Sequence, residues 1–279
     1  MSLSNYDPNG TLVCISGGGM PQIENAVGAL KAIVEHGYKV DVMMGTSAGA
    51  LVSGLFMSYD QDINALEDVI KTTPIDKWFK FKPWQIVKSA LGLSNYICDN
   101  TGLKDFLVDT ITQDAQKRVR VGITGYDNAK IGKSYLVDGR ARHILASMSF
   151  PNVFPPVRWG GRCYCDGGVL NNCPIPRYTD LAKYKQIFII LGAGTQFFKG
   201  SKITILDRLC NLVDKSMGGE FAQIKEMKLE EAPNIIVFQP PKYEDSCKFL
   251  GWSDGFKQIE TSQRLMSAEI LMKKAEANR

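Results

Sequence analysis

Residues 42–52 read Val-Met-Met-Gly-Thr-Ser-Ala-Gly-Ala-Leu-Val, and no other stretch limits the possible folds so sharply. An apolar run of β character enters Gly45-Thr46-Ser47-Ala48-Gly49, and a helix-forming run leaves it. This is a G-x-S-x-G sequence in the context of strand, sharp turn and helix. Such a turn brings the strand and helix backbones too close for side chains, which is why Gly45 and Gly49 flank the serine. Ser47 is then held out at the end of a sheet, above a helix N-terminus that favours developing negative charge. The chain is thereby an α/β protein with Ser47 as a nucleophile candidate. A plain glycine-rich turn is the competing reading, so the chemistry has to come from the rest of the chain.

A Ser-His-Asp triad needs an imidazole, and the sequence holds two histidines. His36 ends Ala32-Ile33-Val34-Glu35-His36-Gly37, the last turn of a helix closed by glycine. His143 lies in Gly139-Arg140-Ala141-Arg142-His143-Ile144, an early helical turn. Both fit surface or capping roles, so the base for Ser47 is expected to be a carboxylate. Asp166 is the candidate: it ends Cys163-Tyr164-Cys165-Asp166 and is followed by Gly167-Gly168, which permit a tight backbone approach. The alternative for this stretch is an ordinary Asp-Gly hairpin turn.

A further glycine cluster follows the strand-like Thr11-Leu12-Val13-Cys14-Ile15-Ser16. Gly17-Gly18-Gly19 leads into a helical pattern with Pro21 in its first turn and apolar Ile23, Val27, Leu30, Ile33 and Val34. A glycine loop feeding a helix N-terminus presents backbone N–H groups to an anion, either a phosphate or the oxyanion of acyl transfer. The spacing fits neither of the usual nucleotide-binding fingerprints.

Taken in order, these motifs resemble the patatin-like phospholipase family. The resemblance is carried by Gly17-Gly18-Gly19, by Gly45-Thr46-Ser47-Ala48-Gly49, by Ala146-Ser147-Met148-Ser149-Phe150-Pro151-Asn152-Val153-Phe154-Pro155-Pro156-Val157, and by Asp166-Gly167-Gly168 with the trailing Val169-Leu170-Asn171-Asn172-Cys173-Pro174; it covers residues 11–192. It implies a patatin-like fold and a lipid acyl hydrolase with a Ser-Asp dyad. Ser47 would be the nucleophile and Asp166 the base, with the amides of Gly17, Gly18 and Gly19 as the oxyanion hole. It implies no metal and no cofactor, and a phospholipid or other acyl-lipid substrate met at a membrane surface. The same dyad would also serve a thioesterase or an acyltransferase, or persist in a weakly active lipid-binding regulator. The chain departs from the family at Met20-Pro21, where a basic residue is usual.

The chain of 279 residues with 44% apolar content has ample material for a core, and it is read as one domain with a helix-rich part at 193–279. A net charge of +4 is too mild to argue for nucleic acid, and no nucleic-acid motif is present. Seven cysteines show no standard zinc spacing, and reduced, buried thiols are expected. The polar start, Ser4-Asn5-Tyr6-Asp7-Pro8-Asn9-Gly10, lacks an apolar leader, so a cytosolic protein peripheral at membranes is expected. The resemblance leaves export without a cleavable signal open. The uncharged stretch 42–59 contains the glycine-flanked serine and reads as strand, turn and helix, not as a membrane span.

Strands are expected at 11–16, 40–44, 118–124, 133–137, 162–166, 186–191 and 234–239, and helices at 22–36, 48–58, 62–72, 101–111, 139–147, 202–230 and 255–277. The alternation predicts a mainly parallel central sheet with helices on both faces; the helix-rich stretch 193–279 is either a packing layer, the favoured reading, or a lid. In Asp76-Lys77-Trp78-Phe79-Lys80-Phe81-Lys82-Pro83-Trp84, aromatics alternate with lysines. Trp78, Phe79, Phe81 and Trp84 are candidate membrane contacts; the alternative is a packed connection with solvated lysines. Phe249-Leu250-Gly251-Trp252 with Phe256 reads as helix packing.

Overall fold

The computed structural model describes residues 10–81, 84, 88, 96–127, 130–176, 178–192, 224, 228–240 and 252–277. The expected helix at 202–230 and the residues Phe249 and Leu250 therefore fall, wholly or almost so, outside the described residues. The same holds for the side chain of Phe81.

Three short apolar runs dictate the centre of the molecule. β1 (Thr11–Ile15), β2 (Val42–Thr46) and β9 (Gln186–Ile190) are buried almost throughout. Runs apolar on both faces are the mark of a parallel sheet covered on both sides. Their alternation divides the core accordingly. Val13, Ile15, Met43, Phe188 and Ile190 face one apolar cluster. Leu12, Cys14, Val42, Met44, Ile187 and Ile189 face the other. The first cluster is closed by α1 (Gly19–Glu35), α2 (Ala48–Ser58) and α3 (Ile63–Thr72), the second by residues such as Cys173, Leu181, Tyr184 and Leu229.

The main sheet runs β10-β9-β1-β2-β5-β8-β7, with β6 paired to β5. Here β5 is Val119–Asp127, β6 Lys130–Asp138, β7 Val157–Trp159, β8 Arg162–Asp166 and β10 Ile235–Phe238. The side from β10 to β5 is parallel. Beyond β5 the pairings are antiparallel. The mainly parallel sheet was legible in the sequence, whereas its antiparallel flank was not. The expected strands at 118–124 and 133–137 are longer than predicted and pair with each other as an antiparallel ladder with a bulge at Gly125/Tyr126.

One register matters most for function. β6 pairs with Arg120 to Asp127 and so occupies one edge of β5 almost completely. β2 pairs with Val119 to Gly122, and β8 with Ile123 to Tyr126. A strand has two hydrogen-bonding edges, so β2 and β8 must share the remaining one end to end. β2 runs parallel to β5 and β8 antiparallel, so their carboxyl ends meet at Gly122 and Ile123. The residue after Thr46 is Ser47, and the last residue of β8 is Asp166.

Smaller elements complete the fold: α4 (Ile75–Trp78), β3 (Lys80–Phe81), β4 (Cys98–Asp99), α5 (Thr101–Thr110), α6 (Gln113–Arg118), α7 (Ala141–Ser147), α8 (Tyr178–Leu181) and α9 (Lys257–Ala277). α9 is the expected C-terminal helix, and it packs along α1. Among the described residues no helix is long and apolar enough to cross a membrane. Residues 42–59 are the β2–α2 pair with its turn, as expected.

The aromatic–lysine segment corrects one expectation. Trp78 and Phe79 are not membrane contacts: they are 1% and 2% exposed. Trp78 lies tilted against Phe106 at 5.4 Å and meets Phe79 and Trp252 edge-on at 6.4 Å each, while Phe79 lies 4.8 Å from Phe154. Mutual aromatic burial outcompetes an interfacial position for these rings. Trp84 is different, being half exposed with Lys88 Nζ 4.3 Å above its ring. Trp252 also packs on Phe256 at 5.5 Å, in keeping with the helix-packing reading of that pair.

Candidate active site

The turn between β2 and α2 is strained in the way its sequence demands. Ser47 has φ 53° and ψ −121°, a left-handed φ that a serine adopts only when its surroundings enforce it. The enforcement is steric. A Cβ on Gly45 would lie 2.3 Å from the Gly49 carbonyl oxygen, and one on Gly49 would lie 2.3 Å from the Ile15 carbonyl oxygen. The flanking glycines are therefore required by backbone contact on both sides of the serine.

Ser147, at the end of α7, fixes the serine's main chain. Its Oγ accepts the Ser47 N–H at 2.8 Å and donates to the Gly122 carbonyl at 2.6 Å. Ser147 thus ties the turn to the point on β5 where the two strand ends meet. The sequence placed Ser147 in the small-residue and proline segment without giving it a task.

Asp166 is 3% exposed; its carboxylate accepts the Gly168 N–H at 2.8 Å, and the neighbouring Ser47 hydroxyl acts on the same carboxyl. Its own N–H donates to the Ser149 carbonyl at 3.0 Å. Gly167–Val169 form a short 3₁₀ turn after it, so the Asp-Gly pair does not make a hairpin. Burial pushes the Asp166 carboxyl up to about 7, against the opposing pull of the Ser47 hydroxyl and the Gly168 N–H. A carboxyl at that value exchanges protons near neutral pH, which suits a general base.

The segment after Asp166 joins the site together. The Asn171 carbonyl accepts the Thr46 hydroxyl at 3.3 Å. The Asn172 carbonyl accepts the Gly17 N–H at 3.0 Å, and its Nδ2 donates to the Gly17 carbonyl at 3.4 Å. The glycine loop sits against the serine, since a Cβ on Gly17 would lie 3.0 Å from Ser47 Cβ and 2.3 Å from Asn172 Oδ1. The Gly17 N–H is engaged by Asn172, a departure from the expectation that all three loop amides face an oxyanion. Gly18 and Gly19 adopt φ 155° and 70°, outside the range that side chains favour. Asn172 was visible in the sequence only as part of the trailing Asn-Asn-Cys-Pro.

Both histidines lie apart from this arrangement. His36 caps the C-terminus of α1, followed by Gly37 at φ 83°. His143 is buried, with Nδ1 2.7 Å from the Asp138 carboxylate and its ring 5.1 Å from that of Trp159. Burial holds its imidazole below the ordinary range. Met20 is 2% exposed in the first turn of α1, where a charged side chain would have to be desolvated. A cavity of about 870 Å³ is lined by residues that include Lys133, Ser149, Arg162 and Cys165, whereas Ser47 and Asp166 do not line it. Among the described residues no group of three or more His, Cys, Asp or Glu could hold a metal ion.

A buried Asp and a strained Ser thus come together where two strand ends meet beside a glycine loop. The patatin-like phospholipase family matches residues 13–177, more than half of the chain, and the chain belongs to that family. Its relatives include Lysophospholipase NTE1 of Debaryomyces hansenii, 27% identical over an alignment of 185 residues that covers 63% of this chain and 11% of the relative. Lysophospholipase NTE1 of Scheffersomyces stipitis is 28% identical over 183 residues, again 63% of this chain and 11% of the relative. The chain thus spans about a tenth of the length of the relatives it matches. Among solved structures, VipD from Legionella pneumophila shares the fold, with a TM-score of 0.52 at 13% identity, over 95% of this chain and 67% of that one.

Proposed function

We propose that this protein is a serine lipid acyl hydrolase that cleaves fatty-acyl esters through Ser47 and Asp166. The observation that carries the reading is the burial of the Asp166 carboxyl where the carboxyl ends of β2 and β8 meet, beside a Ser47 held at a positive φ whose hydroxyl acts on that carboxyl. In the first step Ser47 Oγ attacks the ester carbonyl carbon and its proton passes to Asp166. The carbonyl oxygen becomes an oxyanion. The backbone N–H groups of Gly18 and Gly19 are the proposed donors to it, since Gly17 is engaged by Asn172. Collapse of the intermediate expels the alcohol, which takes the proton from Asp166 and leaves an acyl-serine. Water then attacks the acyl carbonyl, gives its proton to Asp166, and the fatty acid leaves as Ser47 regains its proton. No step calls for a metal ion or an organic cofactor.

The family and the lysophospholipase relatives support an acyl-lipid as substrate. A membrane surface approached from the aqueous side is the proposed place of action. Half-exposed Trp84, with the exposed Lys77 and Lys80, remains the candidate contact, and Trp84→Ala should weaken vesicle binding. Cys14, Cys98, Cys163 and Cys165 are free thiols, which fits a reducing cytosol. The test is hydrolysis of mixed phospholipid and lysophospholipid vesicles by wild type, Ser47→Ala and Asp166→Asn. Wild type should release fatty acid, and each variant should lose on the order of 10³-fold or more, as parts of one unit do. Full activity in a folded Asp166→Asn protein would sink the dyad.

A further inference from the structure

A chain of buried polar side chains runs from the C-terminal helix to the glycine loop. It starts at Ser262 on α9, whose Oγ accepts from Gln258 Nε2 at 2.9 Å and donates to Asn25 Oδ1 at 2.8 Å. Asn25, on α1, then donates through Nδ2 to Gln22 Oε1 at 2.9 Å and to the Leu191 carbonyl at 3.1 Å. Gln22 Nε2 reaches Ser16 Oγ at 3.4 Å, which also accepts the Gly192 N–H at 2.8 Å. Ser16 Oγ in turn donates to the Gly17 carbonyl at 3.1 Å. Ser16, Gln22, Asn25 and Ser262 are all fully buried.

The direction of these bonds is determined. The Leu191 carbonyl can only accept, so the NH₂ group of Asn25 must face it, and Oδ1 is left for Ser262. Gln22 therefore presents its oxygen to Asn25 and its NH₂ to Ser16. The hydroxyl of Ser16, already accepting twice, has its proton for Gly17. That carbonyl belongs to the peptide whose N–H is that of Gly18. In a trans peptide the C=O and N–H point in opposite directions, so holding the Gly17 oxygen towards Ser16 turns the Gly18 N–H to the other side of the loop. Gln22 also backs this peptide, for a Cβ on Gly18 would lie 2.9 Å from Gln22 Cβ. Apolar side chains would hold two helices together without any of this directionality, whereas a satisfied polar network specifies one arrangement.

The geometry points to Asn25 as a positioning residue for the oxyanion loop, with Ser262 of the C-terminal helix setting its orientation. This assignment rests on the acyl-hydrolase reading above. It gives α9, which lies beyond the family-matched residues 13–177, a part in catalysis without touching substrate.

The experiment uses the full chain and a soluble short-chain p-nitrophenyl ester, comparing wild type with Asn25→Leu and Ser262→Ala. Gln263→Ala is the control: Gln263 sits on the same helix but bonds the exposed Glu35 at 2.7 Å. For each protein, kcat, KM, Tm and affinity for a trifluoromethyl ketone analogue of the tetrahedral intermediate are measured. The expected result is a 10- to 100-fold fall in kcat for Asn25→Leu and a smaller fall for Ser262→Ala, with KM within about twofold. Affinity for the ketone should fall by the same factor as kcat/KM, and the control should behave as wild type. Wild-type kcat and ketone affinity in a folded Asn25→Leu protein would overturn the inference. Should that variant not fold, wild-type values in Ser262→Ala overturn it alone. A kcat loss that only tracks thermal destabilisation, with ketone affinity per folded molecule unchanged, also overturns it. A wild-type protein that turns over no ester and binds no ketone removes the hydrolase reading itself, and the inference with it.

Discussion

Ser47 combines a strained backbone with the proposed role of nucleophile. Its φ of 53° is tolerated because Gly45, Gly49 and Ser147 over-determine the turn. The residue scale also bears on the histidine question. The His143 ring is occupied on both nitrogens: Nδ1 faces Asp138, and Nε2 accepts from Arg142 Nε at 3.2 Å. It has no bond to the serine among the described contacts. His143→Ala should therefore keep turnover of a soluble ester within about tenfold of wild type, while losing some thermal stability through its contact with Trp159. Turnover as low as that of Ser47→Ala in a folded His143→Ala protein would restore imidazole to the mechanism.

At the scale of elements, what was legible in the sequence and what was not divide on physical grounds. The β2–turn–α2 unit was legible because two backbone contacts force two glycines and the flanking runs are long and apolar. The same holds for β1, β9 and α1. The meeting of β2 and β8 on one edge of β5 was not legible, because register between distant strands leaves no local signature. The three-residue β7 and the two-residue β3 and β4 were missed because elements so short carry no periodicity. Trp78 and Phe79 misled because alternation of aromatics and lysines suits a packed helix end as well as a membrane rim. Two predictions belong here. Ser147→Ala frees the Ser47 N–H and the Gly122 carbonyl, both of which lose a partner, so it should cost about 1–3 kcal/mol of stability and lower kcat at least tenfold; chemical denaturation and steady-state kinetics check this. Trp78→Ala should cost about 3–5 kcal/mol and lower Tm by on the order of 10 °C, with vesicle binding per folded molecule unchanged. A selective loss of vesicle binding at normal Tm would return Trp78 to the membrane.

For the whole molecule, the buried Asp166 links folding to pH. Its carboxyl lies at about 7 in the folded protein against an ordinary 3.8. Between those values the native state holds a proton that the unfolded chain has released. The contribution of this group to stability is therefore greatest below about pH 4, declines as pH rises through the interval, and is unfavourable above about 7. Asp166→Asn removes that dependence and should raise Tm at pH 8 while abolishing turnover; an unchanged Tm at pH 8 would contradict the burial argument. Stability is thus given up at the point where the proposed chemistry requires a base, a trade seen widely at active sites. The measurement that bears most directly on the dyad is the rate of covalent labelling by a fluorophosphonate between pH 5 and 9, with the modified residue mapped by mass spectrometry. The account predicts a single adduct on Ser47, a rate in wild type that rises to a plateau with a midpoint near 7, and labelling in Asp166→Asn slowed by on the order of 10³-fold. An adduct on another residue, or labelling of Asp166→Asn at the wild-type rate, would contradict it.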